Sequence, residues 1–139
     1  MKLDEIDLKI IEELSNNSRL SMSELGRRVN LSSPSVSERV KQMESFEIIK
    51  KYTLEVNYEK VGFPIQCFIE ATVKNGDYQS FTNLLKGYSN IEFCYRIAGR
   101  ACYMMKAQFK DLAHAEEFIN ELNPYASTVT HFIFSKVSN

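Results

Sequence analysis

The apolar positions near the N-terminus repeat with a helical period. Leu3, Ile6, Ile10 and Leu14 stand at i, i+3, i+7 and i+11, which predicts a first helix from about Asp4 to Leu14. Asp4, Glu5 and Asp7 crowd its first turn, where the helix dipole favours anions, and Ser15-Asn16-Asn17-Ser18 supplies loop chemistry after it. A second helix opens on Ser21-Met22-Ser23-Glu24, a capping box in which Ser21 accepts from the Glu24 amide and Glu24 reaches back. Met22, Leu25 and Val29 form its apolar face. Gly26 inside it costs up to about 1 kcal/mol against alanine, which predicts another helix crossing closely there. Asn30, tolerant of left-handed backbone, follows, and Leu31 turns inward. A third helix starts at Ser32 or Ser33 with Pro34 in its first turn. Val36, Val40 and Met43 give its buried face; Ser35, Ser37, Glu38, Lys41 and Gln42 lie opposite, with Arg39 at the flank. Two short helices joined by a tight turn, the second polar on one side, have the shape of a helix-turn-helix.

Beyond Lys50 the period changes. Ile48 to Asn57 is rich in β-branched and aromatic residues and predicts a linker strand, which Val61-Gly62-Phe63-Pro64 breaks. Gln66 to Lys74 alternates, with Cys67, Ile69, Ala71 and Val73 on one face and Phe68 the apolar exception on the other. Asn75-Gly76-Asp77 is a turn, and Asp77 to Tyr88 reads as a helix. Ile91, Phe93, Tyr95 and Ile97 alternate along a second strand, which the short Gly99-Arg100-Ala101 connection joins to an antiparallel partner, Cys102 to Phe109. Asp111 to Leu122 is an Asp-capped helix with Leu112, Ala115, Phe118, Ile119 and Leu122 as its core face, and Ala126 to Lys136 is the last strand.

The order β-α-β-β-α-β predicts an α+β fold, a ferredoxin-like four-stranded antiparallel sheet with both helices on one face. The other face carries apolar and aromatic side chains, which predicts a homodimer with the two sheets facing each other. The expected domains are residues 1–50, a helix-turn-helix DNA-binding domain; 51–64, a linker strand and hinge; and 65–139, a dimerisation and effector domain.

Charge sharpens the picture. The 139-residue chain has a formal net charge of -1, so it is no wholesale polycation and any basic surface is local. Arg19, Arg27, Arg28, Arg39 and Lys41 oppose only Glu24 and Glu38 between positions 19 and 41. A basic helix-turn-helix inside a net-acidic half points to double-stranded DNA. The third helix would enter the major groove, with Ser35, Ser37, Glu38 and Gln42 towards base edges and Ser33 among the DNA-binding residues. Arg27, Arg28, Arg39 and Lys41 would bind phosphate, although Arg39 has a structural alternative.

No stretch of the sequence reaches the ~20 apolar residues of a membrane span, and the N-terminus meets acid at once, so neither a membrane partner nor a secretory signal is expected. Cys67, Cys94 and Cys102 are odd in number and lack a CxxC pair; they read as small buried hydrophobes in a reducing cytoplasm, not as a metal or redox site. His114 and His131 have no acid, cysteine or second histidine nearby in sequence, and no phosphate loop or nucleophile motif is present. Catalytic residues, metal and cofactor are therefore all expected to be absent.

The chain resembles the Lrp/AsnC, or feast/famine, transcriptional regulators over nearly its whole length. The most specific part is Leu3-Asp4-x-x-Asp7-x-x-Ile10-Ile11, then Ser18-Arg19-Leu20-Ser21, Glu24-Leu25-Gly26, Leu31-Ser32, Ser37-Glu38-Arg39-Val40 and Ile49-x-x-Tyr52. Asn90 to Gly99 and Cys102-Tyr103-Met104 are similar to the short LrpC type of Bacillus within that family. The resemblance implies a winged helix-turn-helix followed by a C-terminal (RAM) domain that dimerises through its sheets. Further assembly to octamers and an amino-acid effector between subunits are common in the family.

Two departures stand out. The family usually has glycine where this chain has Glu47, which would strain a left-handed helix cap by about 1 kcal/mol unless the helix ends differently. The family's effector loop carries two acids, whereas Gly99, Arg100, Ala101, Cys102 and Tyr103 carry none. A zwitterionic amino acid would then lack a partner for its ammonium group. This loop is either an altered effector site or a plain hairpin turn. Operator-reading regulation, cytoplasmic and nucleoid-associated, is the leading function; an architectural protein that wraps or bridges DNA is the alternative.

Overall fold

The computed structural model describes residues 1–138. The chain divides into two units, Met1–Glu55 and Val56–Asn139.

In the first unit α1 (Glu5–Asn16), α2 (Met22–Val29) and α3 (Ser33–Ser45) enclose Ile10, Leu14, Leu25, Val29, Val36, Val40 and Met43. These are the stripes the helical spacing picks out, and their burial is the main force holding three short helices together. Asp4 caps α1 in a full box: its carboxylate accepts from the Asp7 amide at 2.9 Å, and Asp7 accepts from the Asp4 amide at 3.0 Å. The Ser21 cap of α2 is only half a box. Ser21 Oγ accepts from the Glu24 amide at 3.0 Å, while the Glu24 carboxylate turns to Arg27 and Arg28 instead of reaching back.

The tight place at Gly26 is not a helix crossing. A Cβ there would stand 2.5 Å from the Leu31 carbonyl oxygen, so the turn itself folds back onto α2. Asn30 takes φ 58°, and the Leu31 amide donates to the Gly26 carbonyl at 2.8 Å. Glu47 takes φ 56°, with Ile48 N–H donating to Met43 O at 2.8 Å and Glu47 N–H to Glu44 O at 3.0 Å. That is a Schellman closure of α3 with a non-glycine residue in the left-handed position.

The expected strand over 48–57 does not form: residues 50–57 carry no strand or helix, and no β-wing is present among the described residues of this unit. Tyr52, Leu54 and Val56 alternate as a strand would, but an isolated extended segment has no ladder partner for its backbone. A turn over 58–62 then leads to the second unit.

The second unit comprises β1 (Ile65–Val73), α4 (Tyr78–Leu85), β2 (Ile91–Arg96), β3 (Tyr103–Phe109), α5 (Leu112–Leu122) and β4 (Ala126–Phe132). The sheet is four-stranded in the order β2-β3-β1-β4, and every pair is antiparallel. Phe81 of α4 and Phe118 of α5 join Cys67, Ile69, Ala71, Met105, Ala107 and Phe109 in one core, which places both helices on the same sheet face. Leu112, expected in that core, opens α5 and is 63% exposed.

Strand β2 departs from simple alternation. Ile91 pairs with Ala107, while Phe93 pairs with Lys106, so Glu92 is the extra residue of a bulge. Partners across an antiparallel pair share a face. Ile91 therefore sits on the core side with Ala107 and Cys67, whereas Phe93 and Tyr95 pass to the open side with Phe68, Met104 and Glu70. The cysteines differ from their reading as buried hydrophobes. Cys94 pairs with Met105 on an edge strand and is exposed, Cys102 is half-buried, and Cys67 alone is fully buried, its thiol pushed up to about 11 by desolvation.

Two glycine exchanges should move stability in opposite directions. Gly26→Ala should lower the melting temperature, because overpacking of about 1–3 kcal/mol outweighs a helix-propensity gain of at most about 1 kcal/mol. Glu47→Gly should raise it, by relieving a left-handed residue that costs about 1–2 kcal/mol, less the entropy glycine adds to the unfolded chain. Thermal unfolding of both variants beside the parent chain checks this pair.

Candidate nucleic-acid interface and effector loop

Helix α3 presents one side to solvent because its other side is apolar. Ser32 caps it, accepting from the Ser35 amide at 3.4 Å, and Pro34 fills the first turn, where no amide is needed. The Ser32 hydroxyl also donates to Ser35 Oγ at 2.9 Å. Ser35, Glu38, Lys41 and Gln42 are exposed, and the side chains of Glu38, Lys41 and Gln42 have no partner among the described residues. Ser33 and Ser37 are half-buried. Ser37 lines a groove with Leu14, Ser18, Met22, Val40, Lys41, Glu44 and Tyr52, on the flank of α3 that faces the end of α1.

The three arginines expected to bind phosphate are all engaged by carboxylates. Arg27 meets Glu24. Arg28 bridges Glu24 at 3.3 Å and Glu13 of α1 at 2.9 Å. Those two arginines are exposed and their pairs weak, so they can exchange partners. Arg39 is different. Its Nη1 donates to both Asp4 oxygens at 2.8 Å and to Asp7 Oδ1 at 2.9 Å. The Asp7 side chain is only 4% exposed and that of Arg39 29%. Arg39 holds the Asp4 carboxyl below its ordinary value, helped by the Asp7 amide. It thus ties α3 to the capping box of α1. Sequence spacing marks Asp4 and Asp7 as acids of a first turn, but gives no sign of a partner more than thirty positions away.

The loop between β2 and β3 is built onto β1. Gly99 has φ 151°, the Cys102 amide donates to Ala71 O at 2.9 Å, and Thr72 Oγ1 donates to the Arg100 carbonyl at 3.5 Å. Arg100 grips Glu70 with two bonds, Nε to Oε1 at 3.0 Å and Nη2 to Oε2 at 3.1 Å. His131 of β4 approaches the same carboxylate, Nε2 lying 2.6 Å from Oε2. Arg100 first, then His131, hold the Glu70 carboxyl below its ordinary value. Ala101 and Tyr103 are buried, Tyr103 with its ring centroid 5.3 Å from Phe81, so the surface of the loop is Gly99, Arg100 and part of Cys102. Glu70 and His131 are the residues that sequence reasoning missed; the period of β1 put Glu70 on the open face, but only strand pairing brings it to His131.

Beside Glu70 the open sheet face carries an apolar patch. Phe68, Tyr95 and Val129 are exposed, and Phe93 lies between Phe68 and Tyr95, tilted to both rings, with centroids 6.2 and 5.2 Å away. His114 serves a structural end: its Nδ1 accepts from the Lys110 amide at 3.0 Å, and its ring meets Phe109 edge-on. No group of three or more potential metal ligands clusters among the described residues, and none of their helices is long and apolar enough to cross a membrane.

Comparison with known proteins places this architecture. The AsnC-type helix-turn-helix domain matches residues 3–44, and the Lrp/AsnC ligand binding domain matches residues 66–139. The HTH-type transcriptional regulator LrpC of Bacillus subtilis is 61% identical over 137 residues, covering 99% of this chain and 95% of LrpC. The solved structure of B. subtilis LrpC superposes with a TM-score of 0.94 over 99% of both chains. LrpA of the same organism is 33% identical over 135 residues, covering 96% of this chain and 99% of LrpA. A feast or famine regulatory protein from M. tuberculosis, complexed with L-methionine, superposes with a TM-score of 0.91 at 25% identity, covering 99% of this chain and 96% of that one. The chain belongs to the Lrp/AsnC family of helix-turn-helix transcriptional regulators.

Proposed function

We propose that the chain regulates transcription by placing α3 in the major groove of double-stranded DNA, as a dimer joined through the open sheet faces. The observation that carries this reading is the exposed side of α3. Glu38, Lys41 and Gln42 stand there unpartnered on a helix whose opposite side is locked in a core. Glutamine is suited to adenine and glutamate to the cytosine amino group, whereas lysine beside them holds phosphate. Ser33, Ser35 and Ser37 supply shorter contacts. Two copies read two half-sites, which a single small module cannot. The second copy is the occupant the open face favours, because Phe68, Phe93, Tyr95 and Val129 form an apolar patch whose one buried charge, Glu70, is already neutralised by Arg100 within the chain. Residues 51–64 connect the two functions, and a nucleoid-associated location follows from the DNA contact.

The test is fluorescence anisotropy with a labelled duplex from upstream of the protein's own gene, beside scrambled DNA of equal length, at two salt concentrations. A preference of about a thousandfold or more supports operator reading. Near-equal binding with a steep salt slope favours the architectural alternative.

Within that assay Lys41→Ala should weaken both duplexes alike and flatten the salt dependence by about one contact, while Gln42→Ala should narrow the gap between them by about 1–3 kcal/mol. The reverse pattern rejects these roles.

An amino-acid effector is the remaining part of the family's behaviour. The acid that the loop meets, Glu70, is bonded by Arg100 on both oxygens and by His131 on one, so its charge is already matched within the chain. Titration of leucine, asparagine or methionine by calorimetry should accordingly give no saturating heat in the micromolar range. Micromolar binding by any of them overturns this.

A further inference from the structure

Subtracting the paired cations leaves a pattern that the position of charges in the sequence does not reveal. In the first unit Arg39 is held by Asp4 and Asp7 at a partly buried site, whereas Arg27 and Arg28 share exposed pairs with Glu24 and with Glu13 and Glu24. Lys2, Lys9, Arg19, Lys41, Lys50 and Lys51 are exposed and have no ion-pair partner among the described residues. Three of these, Lys41, Lys50 and Lys51, line adjoining grooves on one flank of α3, and Arg19 is next in sequence to Ser18 of their shared wall. Lys41 lines the groove whose walls include Ser18 and Tyr52. Lys50 and Lys51 line the adjoining groove, of about 540 Å³, which shares Leu14, Ser18 and Tyr52 with the first. Arg19 follows Ser18 in the turn after α1, where its amide donates to Asn17 Oδ1 at 3.1 Å. The single acid in these walls, Glu44, accepts the Tyr52 hydroxyl at 3.0 Å, which holds the carboxylate against the ring.

We propose that Arg19, Lys41, Lys50 and Lys51 form a track for the DNA phosphate backbone along the Ser18–Tyr52 flank of α3, and that Arg39 serves as an internal brace. This rests on the reading of α3 as the groove-entering helix and adds where the flanking strand lies. The chemistry is that of phosphodiester recognition. Unpaired ammonium and guanidinium groups release condensed counterions when they meet phosphate, whereas a guanidinium already neutralised by carboxylate must first surrender that partner. The track also gives the segment after α3 a purpose, since Lys50 and Lys51 stand on extended chain that makes neither helix nor strand.

The test measures the salt dependence of binding of the full-length protein to one fixed duplex. Each lost phosphate contact removes about 0.9 from the slope of log affinity against log salt. The paired variant Lys50→Gln with Lys51→Gln should flatten the slope by nearly two contacts and weaken binding at low salt at least tenfold; Arg19→Gln should flatten it by one. Lys50→Arg with Lys51→Arg keeps the charge and should restore the parent slope, and melting curves of all variants show whether the fold is intact. Arg27→Gln with Arg28→Gln should flatten the slope by less than the Lys50/Lys51 glutamine pair does, because those two arginines are shared with Glu24 and Glu13. A parent-like slope in the Lys50/Lys51 glutamine variant, or a larger loss in the Arg27/Arg28 variant, overturns the track while leaving α3 as reader. A parent protein that binds no duplex overturns both.

Discussion

A carboxylate withdrawn from water has to be met by a cation, and each unit of this protein meets one with an arginine brought from far along the chain. Arg39 closes on Asp7 and Asp4; Arg100 closes on Glu70. In the first unit the pair joins α3 to the start of α1, so that helix is fixed by charge as well as by packing. In the second it pins the β2–β3 loop to the central strand. A buried acid without its arginine would either unfold its surroundings or take up a proton, and both outcomes would move the same surfaces that function uses.

This commitment separates Arg39 and Arg100 from the lysines around α3. A guanidinium matches carboxylate geometry and gives up its hydration more readily, so it suits the internal brace; an ammonium on a flexible stem stays solvated. Within the first unit Arg39 is held by two aspartates and Arg27 and Arg28 by exposed glutamates, whereas Lys41, Lys50 and Lys51, and Arg19 with them, have no ion-pair partner among the described residues. Counting positive residues between two sequence positions cannot make that distinction, because it treats every cation as available.

Much of the fold is legible in the chain because its helices are amphipathic and its caps local. Ile10, Leu14, Leu25, Val29, Val36, Val40 and Met43 all lie where their spacing puts them. Asn30, Asp77 and Asp111 mark their termini by chemistry that acts over two or three residues. What could not be read depends on partners distant in sequence. The Leu31 carbonyl rather than a helix crowds Gly26, Glu70 finds His131 only through the β1–β4 register, and Tyr52, Leu54 and Val56 alternate like a strand yet have no neighbouring strand. The candidate interface shows the same limit. Exposure of Glu38, Lys41 and Gln42 follows from the helical wheel, whereas the engagement of Arg39 by α1 does not.

The bulge at Glu92 has a consequence for how this family can vary. Because one additional residue turns Phe93 and Tyr95 from the helix-covered side to the open side, strand length here sets which side chains belong to the open face and which to the helix-covered one. Conservative exchanges at those positions leave the two sides intact, but loss of a single codon would transpose them at once. Drift in composition is therefore cheap along this strand and drift in length is not, so alignments of relatives should tolerate many residue types there and almost no gaps.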